Sequence, residues 1–170
     1  DHLDRHFTFD NYAKTKCLIT MNQTPPEKCI INFDDKTLCG YAQGLTPDII
    51  YFSRLSKLDK GVYLDGQDIM YSDGEKTVRV LSRPEITLMG DHNVENVMAA
   101  IGISVSMGVD IETIADVIRK FKAVEHRIEY VCTKGGVDYY NDSKGTNTDA
   151  SEKAVAAMTK PAVLIAGGYD

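Results

Sequence analysis

Apolar residues recur along the chain with two periods. Phe9, Tyr12, Ala13, Lys16 and Ile19 fall at i, i+3, i+4, i+7 and i+10. That spacing predicts a helix over Phe9–Thr20 with Lys16 on its apolar stripe. Lys28–Phe33 is a short apolar run that fits a buried strand, ended by Asp34-Asp35, and Asp48–Ser53 reads as a further strand. Val62–Leu64 then faces Ile69–Tyr71 across Asp65-Gly66-Gln67-Asp68, and Asp73-Gly74 leads into Thr77–Leu81. Asp-Gly between alternating segments is a hairpin signal, so a small antiparallel sheet of about three strands is expected here.

The second half returns to the helical period. Gly90 opens a helix whose core face is Val94, Val97, Met98, Ile101 and Val105. Asp110 caps another, with Ile111, Ile114, Ala115, Ile118 and Phe121 inward. Lys122–Glu125 reads as a hinge. Tyr130–Cys132 is a strand, and Gly135-Gly136 turns it into Val137–Tyr140. A polar loop, Asn141–Asn147, connects that strand to a helix over Ala150–Met158. Ala162–Ala166 reads as a buried strand followed by a Gly-rich turn. In a parallel α/β sheet such a strand feeds a helix, so the sequence reads as a segment of a longer protein.

Composition narrows the class. The chain has 170 residues, 43% apolar and 26% charged, which is ordinary for a soluble globular protein of one domain or one and a part. A net charge of −6 with no basic patch argues against nucleic acid as a partner. No apolar run approaches a membrane span, and no signal peptide is visible. Cys17, Cys29, Cys39 and Cys132 lie far apart and form no Cys-x-x-Cys pair. Such scattered cysteines fit a reducing cytosol, so a cytoplasmic location is expected.

Four places carry candidate chemistry. Asn141-Asp-Ser-Lys-Gly-Thr-Asn147 sets an acid, hydroxyls and a lysine around one glycine at the start of a helix. It reads either as an anion receptor or as an N-capped loop. Lys16 is either a reactive neutral amine, disposed to form a carbamate, or a stem on apolar surface with its amine in water. Asn93 and Asn96, neighbours at i and i+3, suit a purine edge or sugar, or simple capping. Arg127, at the expected domain junction, can reach phosphate or pair with Glu125 or Glu129.

Taken together, four stretches resemble the Mur ligase family of ATP-dependent amide-forming enzymes. They are Asp1-His-Leu-Asp-Arg-His6 with Tyr12-x-x-x-Lys16, Gly90-x-His-Asn-x-x-Asn96, His126-Arg127-x-Glu129, and Asn141–Asn147. The last two look most like the D-glutamate-adding branch, except that Gly145 stands where that branch usually has alanine. This should loosen the loop slightly. The resemblance implies an α/β fold. Residues 1–123 would be the C-terminal half of a central ATP-binding domain, a mixed sheet with helices and a small antiparallel sheet. Residues 124–170 would begin a Rossmann-like C-terminal domain. No Gly-x-x-x-x-Gly-Lys-Ser/Thr loop occurs in the sequence, and the resemblance places it upstream of Asp1.

The same resemblance implies roles. ATP and Mg2+ would be the cofactors, with two magnesium sites in the complete enzyme. UDP-N-acetylmuramoyl-L-alanine and D-glutamate would be the substrates. His2 would be a magnesium ligand, and Lys16, as a carbamate, would hold the same metal. Asn93 and Asn96 would meet the adenine, and Arg127 and Asp142 the ribose and phosphates. Ser143, Lys144 and Thr146 would bind on the D-glutamate side, with His126 near the reacting groups. The alternatives are another ligase of the family, similar to folylpolyglutamate synthase, or a non-catalytic nucleotide-binding module.

Overall fold

The structure is a computed structural model that describes residues 3–168. Its chain order is α1 (Leu3–His6), α2 (Phe9–Cys17), a 3₁₀ turn at Leu18–Thr20, β1 (Lys28–Asn32), α3 (Lys36–Ala42), β2 (Asp48–Ser53), β3 (Gly61–Asp65), β4 (Asp68–Ser72) and β5 (Thr77–Ser82). Then come α4 (Asp91–Ser106), α5 (Ile111–Lys120), β6 (Glu129–Lys134), β7 (Val137–Asn141) and α6 (Thr148–Ala156).

Strands β1 to β5 form one mixed sheet in sequence order. β1, β2 and β3 run parallel, and β3, β4 and β5 form an antiparallel meander. The separate small antiparallel sheet expected from the hairpin signals is therefore corrected. The three strands are real, but they extend the parallel pair. Gly61 makes the join. It has φ +127°, and a Cβ there would lie 2.2 Å from the Tyr51 carbonyl oxygen. Only a residue without a side chain lets β3 pair through Val62 with Phe52 and through Tyr63 with Ser53.

Helix α4 lies across β1, β2 and β3. It buries Val94, Val97, Met98 and Ile101, as the periodicity predicts. Gly102 brings it close, since a Cβ there would meet Ile30 Cγ2 at 2.9 Å. Helix α5 packs on β5 through Ile114 and Ala115, and Asp110 accepts from the Thr113 N–H at 2.9 Å as its cap. Phe121 is half-exposed rather than inward, because the chain has already left the helix there with extended dihedrals. Helix α3 had no place in the sequence reading. Asp35, taken as the end of a strand, also caps it by accepting from the Leu38 N–H at 2.9 Å.

Two expectations about burial are corrected. Helix α2 forms in the expected register, but none of its residues is buried, and Lys16 is exposed. Phe9 and Ile19, on the same stripe, are 57% and 83% exposed. Periodicity fixes which residues share a face, not what covers it. The Ala162–Ala166 run forms no strand, and Val163 and Ile165 are more than nine-tenths exposed. A strand needs a neighbour's backbone groups, and no described strand offers them to this run. β6 and β7 pair only with each other as a two-stranded ribbon. The parallel unit of a Rossmann-like arrangement is thus not formed among the described residues.

Gly61→Ala is expected to lower the unfolding free energy by about 1–3 kcal/mol, the cost of a strained backbone without relief. Gly66→Ala, at φ +62° in the open turn before β4, should cost about 1 kcal/mol. Urea unfolding followed by circular dichroism separates the two.

Candidate anion-binding cleft

Packing α4 on the sheet fixes where its N-terminus points. Gly90 precedes it at φ +88°, and a Cβ there would meet the Ala157 Cβ at 2.9 Å and the His92 ring at 2.8 Å. The buried Ala157, just past the end of α6, therefore sits directly on the start of α4. Opposite lies the β7–α6 loop. Asn147 caps α6 by accepting from the Ala150 N–H at 2.8 Å.

The loop is tied to the chain segment that enters β6. The Lys144 N–H donates to the His126 carbonyl at 2.9 Å. The Ile128 N–H donates to Asp142 Oδ1 at 3.0 Å, and the Asn141 amide meets His126 Nδ1 at 2.8 Å. The His126 N–H donates to Glu129 at 2.8 Å. These bonds hold an unusual backbone, since His126 and the β-branched Ile128 have φ +68° and +45°. Each such residue costs of order 1–3 kcal/mol. Burial of the Ile128 side chain, 8% exposed, offsets that cost.

Between these parts is a cleft of about 280 Å³ whose walls include Asn96, Arg127, Asp142, Lys144, Gly145 and Asn147, together with His92 and Lys153. A second cleft of about 440 Å³ shares His92 and Lys153 and runs past Arg54, Arg83 and Met158. The structure thus brings together Asn96, Arg127, Asp142 and Lys144 from three separate stretches of sequence. Asn93 does not line the cleft. It is buried, donates to the Met89 carbonyl at 2.7 Å and accepts from the Asn96 amide at 3.2 Å, so it orients Asn96. Ser143 and Thr146 are exposed beside the cleft rather than in its wall, and His126 backs the loop. Lys16 is not in the wall; its Nζ lies 5.4 Å from the Tyr12 ring. His2 lies outside the described residues. Gly145 has a more specific role than loosening the loop. A Cβ there would lie 2.6 Å from Asp142 Oδ2, so the glycine leaves room for that carboxylate.

Charge is distributed unevenly. Arg54 pairs with Asp91 at 3.0 Å and Glu95 at 3.1 Å, and Arg83 pairs with Asp91 at 2.5 Å, so the second cleft's arginines are compensated. Lys153 pairs with Asp149 at 2.8 Å. Arg127 and Lys144 form no ion pair among the described residues, which leaves two cations facing the first cleft. Burial, and then the Lys153 and Arg127 charges, hold the His92 imidazole below its ordinary value. Among the described residues, no group of three or more His, Cys, Asp or Glu side chains could hold a metal ion. Sequence reasoning passed over His92 and Lys153. His92 could have been found, because it lies one turn before Asn96 on the same helix face.

Comparisons with known proteins fit this picture. Residues 1–104 match the Mur ligase middle domain. Over its 170 residues the chain is 49% identical to the UDP-N-acetylmuramoylalanine--D-glutamate ligase of Lachnospira eligens and 44% identical to that of Clostridioides difficile. All of the chain is covered in both cases, but only 38% of each relative, so the chain spans well under half the length of these curated relatives. Among solved structures, MurF from Acinetobacter baumannii superposes with a TM-score of 0.68 at 19% identity, covering 92% of this chain and 34% of that one. A pseudomurein peptide ligase type C from Methanothermus fervidus gives 0.69 at 17% identity, covering 95% and 39%. At those identities the likeness is one of fold.

The His92 environment generates a pH dependence with a definite sign. A histidine held below its unfolded value of about 6.5 binds a proton more readily in the unfolded chain. Its contribution to stability is therefore complete above about pH 6.5 and is lost as pH falls from there through the folded value. His92→Asn is expected to flatten the decline in unfolding free energy just below pH 6.5, measured by urea titrations at a series of pH values.

Proposed function

Because this chain belongs to the Mur ligase family, we propose that it is part of an ATP-dependent ligase that adds D-glutamate to UDP-N-acetylmuramoyl-L-alanine in cytoplasmic peptidoglycan precursor synthesis. The observation that carries this reading is the near-half identity, along the whole chain, to ligases named for that reaction. The cleft supports it, since two uncompensated cations and an oriented amide face one cavity. Residues 1–123 serve in this reading as the second half of the central ATP-binding domain. Residues 124–170 begin the C-terminal ligase domain, and the cleft lies where the two meet.

The chemistry balances in two steps. The terminal carboxylate of the muramoyl substrate takes the γ-phosphoryl group of ATP, and ADP leaves. The D-glutamate amine then attacks the acyl carbon, gives up a proton and expels phosphate. Within that scheme Arg127 offers a planar fork of donors to phosphate, and Lys144 offers a point charge to the D-glutamate carboxylate. Ser143 and Thr146 stand on the Lys144 side. Asn96, oriented by Asn93, takes the adenine edge, with Asp142 on the ribose side and His126 beside the reacting groups. Cations aimed at developing negative charge stabilise it most where water is excluded.

ATP and Mg2+ are the cofactors this reading implies. The donors of the cleft suit nucleotide phosphates. Among the described residues there is no cluster suited to a metal. A carbamate on Lys16, sharing a metal with His2, is supported by the family resemblance and not by burial.

The test uses a full-length ligase that contains this chain. Phosphate release should require ATP, the muramoyl substrate and D-glutamate together. Lys144→Ala should raise the KM for D-glutamate about 10- to 100-fold, the loss of a charge-assisted hydrogen bond. Lys16→Ala should abolish ligation, and a short carboxylic acid should restore part of it, whereas full activity in Lys16→Arg would rule out a carbamate. The 170-residue chain alone should release no phosphate above a Lys16→Ala control.

A further inference from the structure

Arg127 is held by its neighbours rather than by its own side chain. It has no ion-pair partner among the described residues, and it is exposed. The residues on both sides of it have left-handed backbone, His126 at φ +68° and Ile128 at +45°. Neither is a glycine, and a β-branched residue in that region is held only where the surroundings over-determine it. Two of the bonds that fix this backbone come from one loop. The Lys144 N–H fixes the His126 carbonyl before Arg127, and the Asp142 carboxylate accepts the Ile128 N–H after it. Asp142 is further tied to its own loop, since its carbonyl accepts the Gly145 N–H at 2.8 Å. The bare Cα of Gly145 leaves the second carboxylate oxygen its place.

We propose that Asp142 is a positioning residue, whose carboxylate clamps the 126–128 turn through the Ile128 N–H and thereby presents the Arg127 guanidinium to the cleft. Beside the ribose contact proposed above, part of its effect on a bound nucleotide runs through Arg127. The clamp also joins the loop before α6 to the segment entering β6, so the cation from one segment and Lys144 from the other keep a fixed spacing. A carboxylate accepting a backbone N–H is a charge-assisted bond, and the amide oxygen of asparagine can accept the same N–H in the same place.

Two measurements test this, and the first needs no ligand. Hydrogen exchange of the 170-residue chain, followed at the Ile128 amide by NMR, should be faster by about tenfold or more in Asp142→Ala. Asp142→Asn should recover the protection. Unchanged exchange in Asp142→Ala, or no recovery in Asp142→Asn, would overturn the clamp. The second rests on the function proposed above and uses the full-length ligase. Asp142→Ala should raise the KM for ATP about tenfold with a smaller change in kcat. In the double variant Arg127→Ala/Asp142→Ala the rise in KM should fall well short of the product of the two single effects, because residues acting through one another are not additive. Effects that multiply in full would show that Asp142 does not act through Arg127. A full-length protein that turns over no ATP would refute the ligase reading, and the exchange measurement would still decide the clamp.

Discussion

The burial of one face of α4 on the parallel end of the sheet is the constraint on which the rest depends. Met98 and Ile101 are fully buried there, and Val94 and Val97 nearly so. Each such side chain contributes about 1.5–3 kcal/mol relative to exposure. Gly102 allows the close approach to Ile30, so the helix axis has little freedom. Once the axis is fixed, Gly90, His92 and Asn96 occupy set positions at its N-terminal end. Nothing in the cleft itself would place them there.

The other wall of the cleft is held by a different kind of interaction. The ribbon β6–β7 and helix α6 bury little. Tyr130, Val131, Val137 and Tyr139 are each about half-exposed. What sets this part against α4 is a small-residue contact, Gly90 on Ala157, while the bonds around His126 and Ile128 hold the part together internally. Hydrogen bonds are directional and short-ranged, so they set angles within the 126–128 turn better than they resist a pull across the cleft.

Electrostatics divides the two clefts that share His92. On the Arg54 side, Asp91 and Glu95 already satisfy the arginines. That network braces the start of α4 and leaves little field for a ligand. On the Arg127 side the cations form no ion pair among the described residues, and one oxygen of the Asp142 carboxylate accepts a backbone N–H. An anion entering there gains charge-assisted bonds without first breaking an ion pair, which is the condition for binding at low cost.

Much of this was legible in the sequence. Hairpin turns at Gly66 and Gly74, the core face of α4, the Asp110 cap and the polar loop before α6 follow from local rules, because turn chemistry and the 3.6-residue period act within a few positions. The residues Asn96, Arg127, Asp142 and Lys144 were likewise recognisable from their motifs. Tertiary structure alone decided how these pieces meet. It merged the antiparallel strands with β1 and β2, because pairing between β2 and β3 depends on a close approach at Gly61 that no local pattern encodes. It left the Lys16 stripe and the Ala162–Ala166 run exposed, because burial requires a partner and a periodicity names none. It turned Asn93 from a ligand group into the support of Asn96, because a side chain's hydrogen bonds depend on which carbonyl the fold brings within reach. It singled out His92, because its setting between two clefts arises only when α6 is laid against α4.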